Sequence, residues 1–222
     1  MIVKRIVNLL AGVLVLLLIN SCDGLIPVRG SGDLIYISVP VSDFTVVDAD
    51  SQCRVNIIRG DKPSVLITVD DNLAEYLLAD QEDGVFRLDL KYGNFQDITF
   101  RADIVLPELT GLSLDGVSTA AVREGFHSEA LRISLEGVSD ITWAEGTCRN
   151  LTLESDGTSR AHLFDLAVSE QADISLEGVS RAEVTVSGVL NARLDGVSTL
   201  RYGGSPRLGR VSVSGTSDMA RR

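Results

Sequence analysis

Five carboxylates, Asp115, Glu136, Asp156, Glu177 and Asp195, each precede a glycine in successive copies of one short phrase, and Ser214 takes that place in a sixth copy. If the copies stack as strands about 4.8 Å apart, each neighbouring pair of charges repels by roughly 3 kcal/mol at an effective dielectric near 20, and by about 1 kcal/mol in water. Two arrangements relieve this. Calcium, which takes about six to eight oxygen ligands, could sit between carboxylates on adjacent strands. More plainly, the side chains splay into solvent and discourage lateral pairing of strand edges. Arg160 and Arg181 follow the serines of two central copies, beside this ladder. They can pair with its charges as a solvated face of little energetic consequence. With Glu136 and Glu177 they could also hydrogen-bond a sugar laid across the copies.

The inventory for catalysis is thin. His127 and His162 are the only histidines, and no Gly-x-Ser-x-Gly, phosphate loop or metal-ligand helix occurs. No catalytic residue is assigned, although a lyase or hydrolase working with carboxylates alone stays open. Cys53 and Cys148 lack the Cys-x-x-Cys or Cys/His spacing of a thiolate metal site. Sequence separation leaves a disulfide between them undecided. Trp143 falls in an inward series with Ile141, whereas Tyr92, Phe95 and Phe126 are the candidate exposed aromatics for a glycan platform.

The elements that would carry these residues follow from a repeat. Leu-Asp-Gly-Val-Ser and its variants occur six times from Leu112 onward, with glycines at Gly116, Gly137, Gly157, Gly178, Gly196 and Gly215. Serines close each copy at Ser118, Ser139, Ser159, Ser180, Ser198 and Ser217. Apolar residues alternate before each glycine, as in Ile133/Leu135, and again after each serine, as in Ile141/Trp143. That two-residue period belongs to strands. Each copy is therefore two short strands meeting at a glycine corner, with a polar return. Such a unit cannot bury its own apolar face, so the copies must stack into an all-β parallel solenoid with coils of about twenty residues. Leucine-rich repeats share the period, but their further leucines and asparagine are missing. The recurring serines are expected to hydrogen-bond between coils or to corner amides.

Upstream, residues 33–110 read as strands with turns at Gly60-Asp61-Lys62-Pro63 and Asp83-Gly84, and as a helical turn or two around Asn72, Leu73, Tyr76 and Leu77. Residues 111–222 hold the six coils, and the whole of 33–222 reads as one domain. The first 21 residues, with Lys4, Arg5 and an apolar run from Leu9 to Ile19, read as a signal peptide. Ile19-Asn20-Ser21-Cys22 resembles the bacterial lipobox, which makes Cys22 the acylated first residue of the mature protein. Residues 22–32, with Gly24, Pro27, Gly30 and Gly32, are then a tether. Loss of Lys4 and Arg5 takes the net charge from −11 to −13. Such a field repels nucleic acid and acidic polymers and suits basic partners, cations or neutral glycans.

Several segments together resemble the putative auto-transporter adhesin, head GIN domain family (DUF2807). They are Phe44-Thr45-Val46, then Val55-Asn56-Ile57 leading to Gly60-Asp61, then Val65 to Leu73 with Asp70-Asp71-Asn72. Val85 to Leu90 follows, and Ile104-Val105-Leu106-Pro107-Glu108-Leu109 runs into Leu112 to Gly116. The resemblance covers nearly all of residues 40–220. It implies a right-handed parallel β-helix on the surface of Bacteroidetes-type cells and supplies no catalytic residues. The expectation is an adhesin anchored to the envelope, on the outer membrane's surface or periplasmic side, by the lipid on Cys22. It would bind a glycan or an envelope protein without turning it over, and its strand edges would allow self-association. A polysaccharide-cleaving enzyme and a structural scaffold are the alternatives.

Overall fold

The computed structural model describes residues 27–91, 93–123 and 125–222. Residues 1–26, which include the expected signal peptide and Cys22, lie outside the described residues, as does Tyr92. The chain forms a β-solenoid of about 5 turns, with stacked parallel coils about 20 residues apart.

One sheet contains Val46–Ala49, Gly111–Leu114, the second half of Phe126–Leu135, and the second half of Gly146–Ser155. The end of Arg160–Leu176, Val189–Leu194 and Arg207–Val213 continue it. Its register is strict: Val47, Leu112, Ile133, Leu153, Ile174 and Ala192 follow one another coil by coil, all buried. The second sheet starts after each corner, where Val55, Ala120, Ile141, Ala161, Ala182 and Leu200 make the matching inward column. Like residues thus meet like along the stack, and each fully buried Leu or Ile contributes about 1.5 to 3 kcal/mol.

The return is not the polar loop that the sequence suggests. Phe126, Gly146 and Leu166 stack in register, as do Ser128, Cys148 and Val168, so a third strand side closes the coil. Its inward positions are small or polar in half the coils, and its outward ones carry Glu129, Arg149 and Glu170, which hide the alternation. Phe126 is consequently buried (1% exposed) against Trp143, with ring centroids 6.1 Å apart, and is no exposed platform. Phe95 is half-buried, edge-on to Tyr76. His127 lies on the outward side of a strand, its Nδ1 2.8 Å from Thr147 Oγ1.

The first coil is completed differently. Leu34–Val39, Ser64–Asp70 and Phe100–Leu106 pair antiparallel, and Leu77–Glu82 and Val85–Leu90 form a hairpin closed by Asp83-Gly84. Both turn residues have positive φ, 51° and 77°, as a two-residue type I′ turn requires. The helical expectation reduces to a single 3-10 turn, Asp71–Leu73. Part of the expected tether is not free either. Val28–Arg29 pairs with Phe95–Gln96, and the buried carboxylate of Asp70 accepts Gly32 N at 2.8 Å and Thr99 N at 2.6 Å. Asn72 adds a bond to the Arg29 carbonyl at 2.8 Å.

Candidate functional site

The corners at Gly137, Gly157, Gly178 and Gly196 share one hydrogen-bonding pattern. The serine hydroxyl donates to the carbonyl of the acidic residue three positions earlier, at 2.7 Å for Ser139 to Glu136, 2.7 Å for Ser180 to Glu177 and 2.8 Å for Ser198 to Asp195. The neighbouring coil is tied in by Ser139 N donating to Ser159 Oγ at 3.3 Å and by Ser198 N donating to Ser217 Oγ at 3.1 Å. Five of these serines, Ser118, Ser139, Ser159, Ser180 and Ser198, are buried. The ladder aspartates fold onto their own corners: Oδ1 of Asp115, Asp156 and Asp195 accepts the next amide, from Gly116, Gly157 and Gly196, at 2.5, 2.6 and 2.8 Å. Glu136 and Glu177 are exposed, and Glu177 has Arg193 at 4.0 Å. Among the described residues no group of three or more His, Cys, Asp or Glu is placed to hold a metal ion together.

The ladder runs further than the repeated phrase shows. Ala49 stacks on Leu114 and Arg54 on Thr119, so Asp50-Ser51-Gln52-Cys53 is a degenerate corner with Ser51 at φ 68° and Cys53 in the serine's place. Cys53 N donates to Ser118 Oγ at 3.3 Å, as the corner amides do elsewhere. Burial raises the Asp50 pKa above its usual 3.8, and the charges of Asp89, Asp115 and Asp48 add to the rise against the opposing Ser51 amide. A raised carboxylate pKa means that the ionised group disfavours the folded state. The penalty is full above the folded pKa, shrinks as pH falls through it, and is gone below about 3.8. Asp50→Asn is therefore expected to melt higher than the wild type at pH 7, with the difference vanishing near pH 3.5. A lower melting temperature for the variant at pH 7 would contradict this account of the ladder.

Arg160 and Arg181 are register partners on the second sheet, and both are exposed. They make no ion pair with Glu136 or Glu177, whose strand ends lie on the other side of the corner. His162 Nδ1 lies 3.1 Å from Glu183 Oε2 on the same sheet. Cys53 and Cys148 are buried free thiols, with burial pushing Cys148 up to about 12 and Cys53 further in the same direction. Thiols held protonated in this way are poor nucleophiles and metal ligands.

The arrangement best suited to a ligand is a groove of about 590 Å³ on the outer face of the first sheet, lined by Thr152, Glu154, Asp173, Ser175, Asn191 and Arg193 among others. These residues come from three successive coils: Thr152 stacks on Asp173 and Asp173 on Asn191, while Glu154, Ser175 and Arg193 form the next column. The polar groups are fixed by one another. Asn191 Nδ2 donates to Asp173 Oδ1 at 2.7 Å, Asn191 Oδ1 accepts Arg210 N at 2.8 Å, and Gln171 Nε2 donates to Asp173 Oδ2 at 2.6 Å. Arg132 Nη2 reaches Glu154 at 2.7 Å. Hydroxyl, amide, carboxylate and guanidinium thus stand on adjacent strands at the coil spacing, offering both donors and acceptors. Such a surface can hydrogen-bond a series of ring hydroxyls.

A family model described as putative auto-transporter adhesin, head GIN domain, matches residues 43–206. The chain belongs to this family. Among curated proteins none matches the GIN-domain chain in sequence. Solved structures share its fold. A putative adhesin from Bacteroides fragilis superposes with TM-score 0.68 at 20% identity, covering 88% of this chain and 100% of that one. A putative adhesin from Parabacteroides merdae gives TM-score 0.57 at 19% identity, with 88% and 98% covered. A putative lipid binding protein from Parabacteroides distasonis gives 0.51 at 14% identity, with 89% and 100% covered. At these identities the likeness is one of fold, and an adhesin-like role comes from the family.

Proposed function

We propose that this GIN-domain chain is a lipid-anchored envelope adhesin that binds a neutral glycan, without cleaving it, in the groove formed by Thr152, Asp173 and Asn191 with Glu154, Ser175 and Arg193. The observation that carries the reading is the fixed Asn191–Asp173 pair, which holds an amide and a carboxylate side by side on adjacent coils. Preorganised polar groups of this kind lose little freedom on binding. Adhesin family membership supports a binding role and an envelope location. The net charge of −11 opposes acidic ligands over most of the surface.

Affinity electrophoresis of the full chain in gels containing mannan, xylan or β-glucan tests the groove. At least one of these polymers should retard the wild type, and Asp173→Ala with Asn191→Ala should weaken that retention about tenfold, the loss of one or two charge-assisted bonds. Equal retention of the double variant would remove the groove from the account. The anchor rests on the lipobox-like Ile19-Asn20-Ser21-Cys22. Cys22→Ser is expected to move the protein from the membrane pellet to the soluble fraction, and an unchanged pellet fraction would contradict lipidation at that position.

A further inference from the structure

The outer face of the second sheet presents a different set of groups, rich in arginine. Acidic side chains outnumber basic ones by 31 to 20, and Arg29, Arg87, Arg132, Arg149, Arg193 and Arg201 each have a carboxylate within 4.0 Å. Arg54 and Arg101 have none. They are direct register partners on the parallel strands Arg54–Arg59 and Phe100–Leu106 and are both exposed. Among the described residues neither makes an ion pair or a side-chain hydrogen bond. Like charges placed opposite one another across a strand pair destabilise it. A chain rich in carboxylates has nonetheless left this pair unneutralised.

The two guanidinium groups line a groove of about 340 Å³ together with Asn56, Thr119, Arg123 and Thr142. Arg123 is held at its edge: its Nε donates to Asn56 Oδ1 at 3.0 Å, and Asn56 Nδ2 donates to Asp103 Oδ1 at 3.0 Å. That relay engages the Asp103 carboxylate and leaves both Nη groups of Arg123 for a ligand. Ala121, between Asn56 and Thr142 in register, keeps the middle of the groove open. Asp140 is the second carboxylate there, so three guanidinium groups face two carboxylates. Further along the same column Arg160 and Arg181 form another register pair without a partner. Arg54 and Arg160 are three coils apart, about 14 Å.

We propose that this face binds a linear anionic glycan, with carboxylate or sulfate groups received first by Arg54, Arg101 and Arg123 and then by Arg160 and Arg181. The guanidinium fork matches both oxyanions and binds them in two-bond geometry. The overall negative field of the chain is screened beyond about 8 Å at physiological salt, so contact with the arginines decides the outcome. This site is independent of the neutral-glycan groove, which lies on the first sheet.

The test uses the full chain in detergent against polygalacturonate, as the carboxylate probe, and dextran sulfate, as the sulfate probe, with unmodified dextran as control. The proposal expects retention by at least one anionic polymer and not by dextran, weakening with salt. Arg54→Gln with Arg101→Gln should reduce this retention about tenfold without lowering the melting temperature, because the substitutions relieve like-charge contact. Asp173→Ala with Asn191→Ala should leave it unchanged, which separates the two sites. Absence of retention by both polyanions, or equal retention of the arginine variant, overturns the proposal.

Discussion

Gly178→Ala is expected to destabilise the solenoid by about 4 kcal/mol and to lower its melting temperature by about 10 °C. Gly178 sits at φ +70°, and a Cβ there would lie 2.5 Å from the carbonyl oxygen of Gly157 and 3.1 Å from its nitrogen. That carbonyl accepts Val179 N at 2.7 Å, so the chain cannot yield without parting two coils at a hydrogen bond that joins them. Two costs add: the left-handed backbone, about 1 to 2 kcal/mol for a residue with a side chain, and the separation of backbones that touch. Gly84→Ala isolates the first. Its φ is +77°, but nothing lies within 4 Å of the added atom, so it should cost only about 1 kcal/mol. Equal losses in the two variants would show that close stacking at the corner contributes nothing.

Asp70→Ala should cost about 3 kcal/mol and free the segment before residue 33 for proteolysis. Asp70 is 1% exposed, and its two carboxylate oxygens each take a backbone amide, Gly32 at 2.8 Å and Thr99 at 2.6 Å. Charge-assisted bonds of this kind contribute about 1.5 to 3 kcal/mol apiece, and truncation leaves both amides without an acceptor. Asp70→Asn keeps the shape but turns an amino group toward one of the donors, so it should recover only part of the loss. Limited proteolysis followed by mass spectrometry reads the release, and an unchanged cleavage pattern in Asp70→Ala would show that the clamp lies elsewhere.

The repeated half of the molecule was legible because two signals agree there: the phrase at Gly116 through Gly215, and the alternation of Ile133/Leu135 or Ile141/Trp143 on either side of it. Where a position deviates, the signal fails. The corner at Asp50 to Cys53 has serine in place of glycine and cysteine in place of serine, so only the stacking of Ala49 on Leu114 reveals it. The third side of each coil is masked by Glu129, Arg149 and Glu170, which form an exposed ion-pair network on its surface. Asp70 looks like any turn carboxylate in the sequence, since its burial depends on Gly32 and Thr99 arriving from distant parts of the chain. The groove was hidden for a similar reason. Thr152, Asp173 and Asn191 are three residue types about twenty positions apart, and only the coil register places them in one column.

The most direct test of non-catalytic glycan binding is the size-exclusion elution of labelled mannan, xylan and β-glucan mixed with the full chain, with and without calcium. Earlier elution of one polymer, with its length unchanged after prolonged incubation, is the predicted result. Later-eluting fragments would make the protein a polysaccharide-cleaving enzyme, and unchanged elution of all three under both conditions would contradict a neutral-glycan ligand.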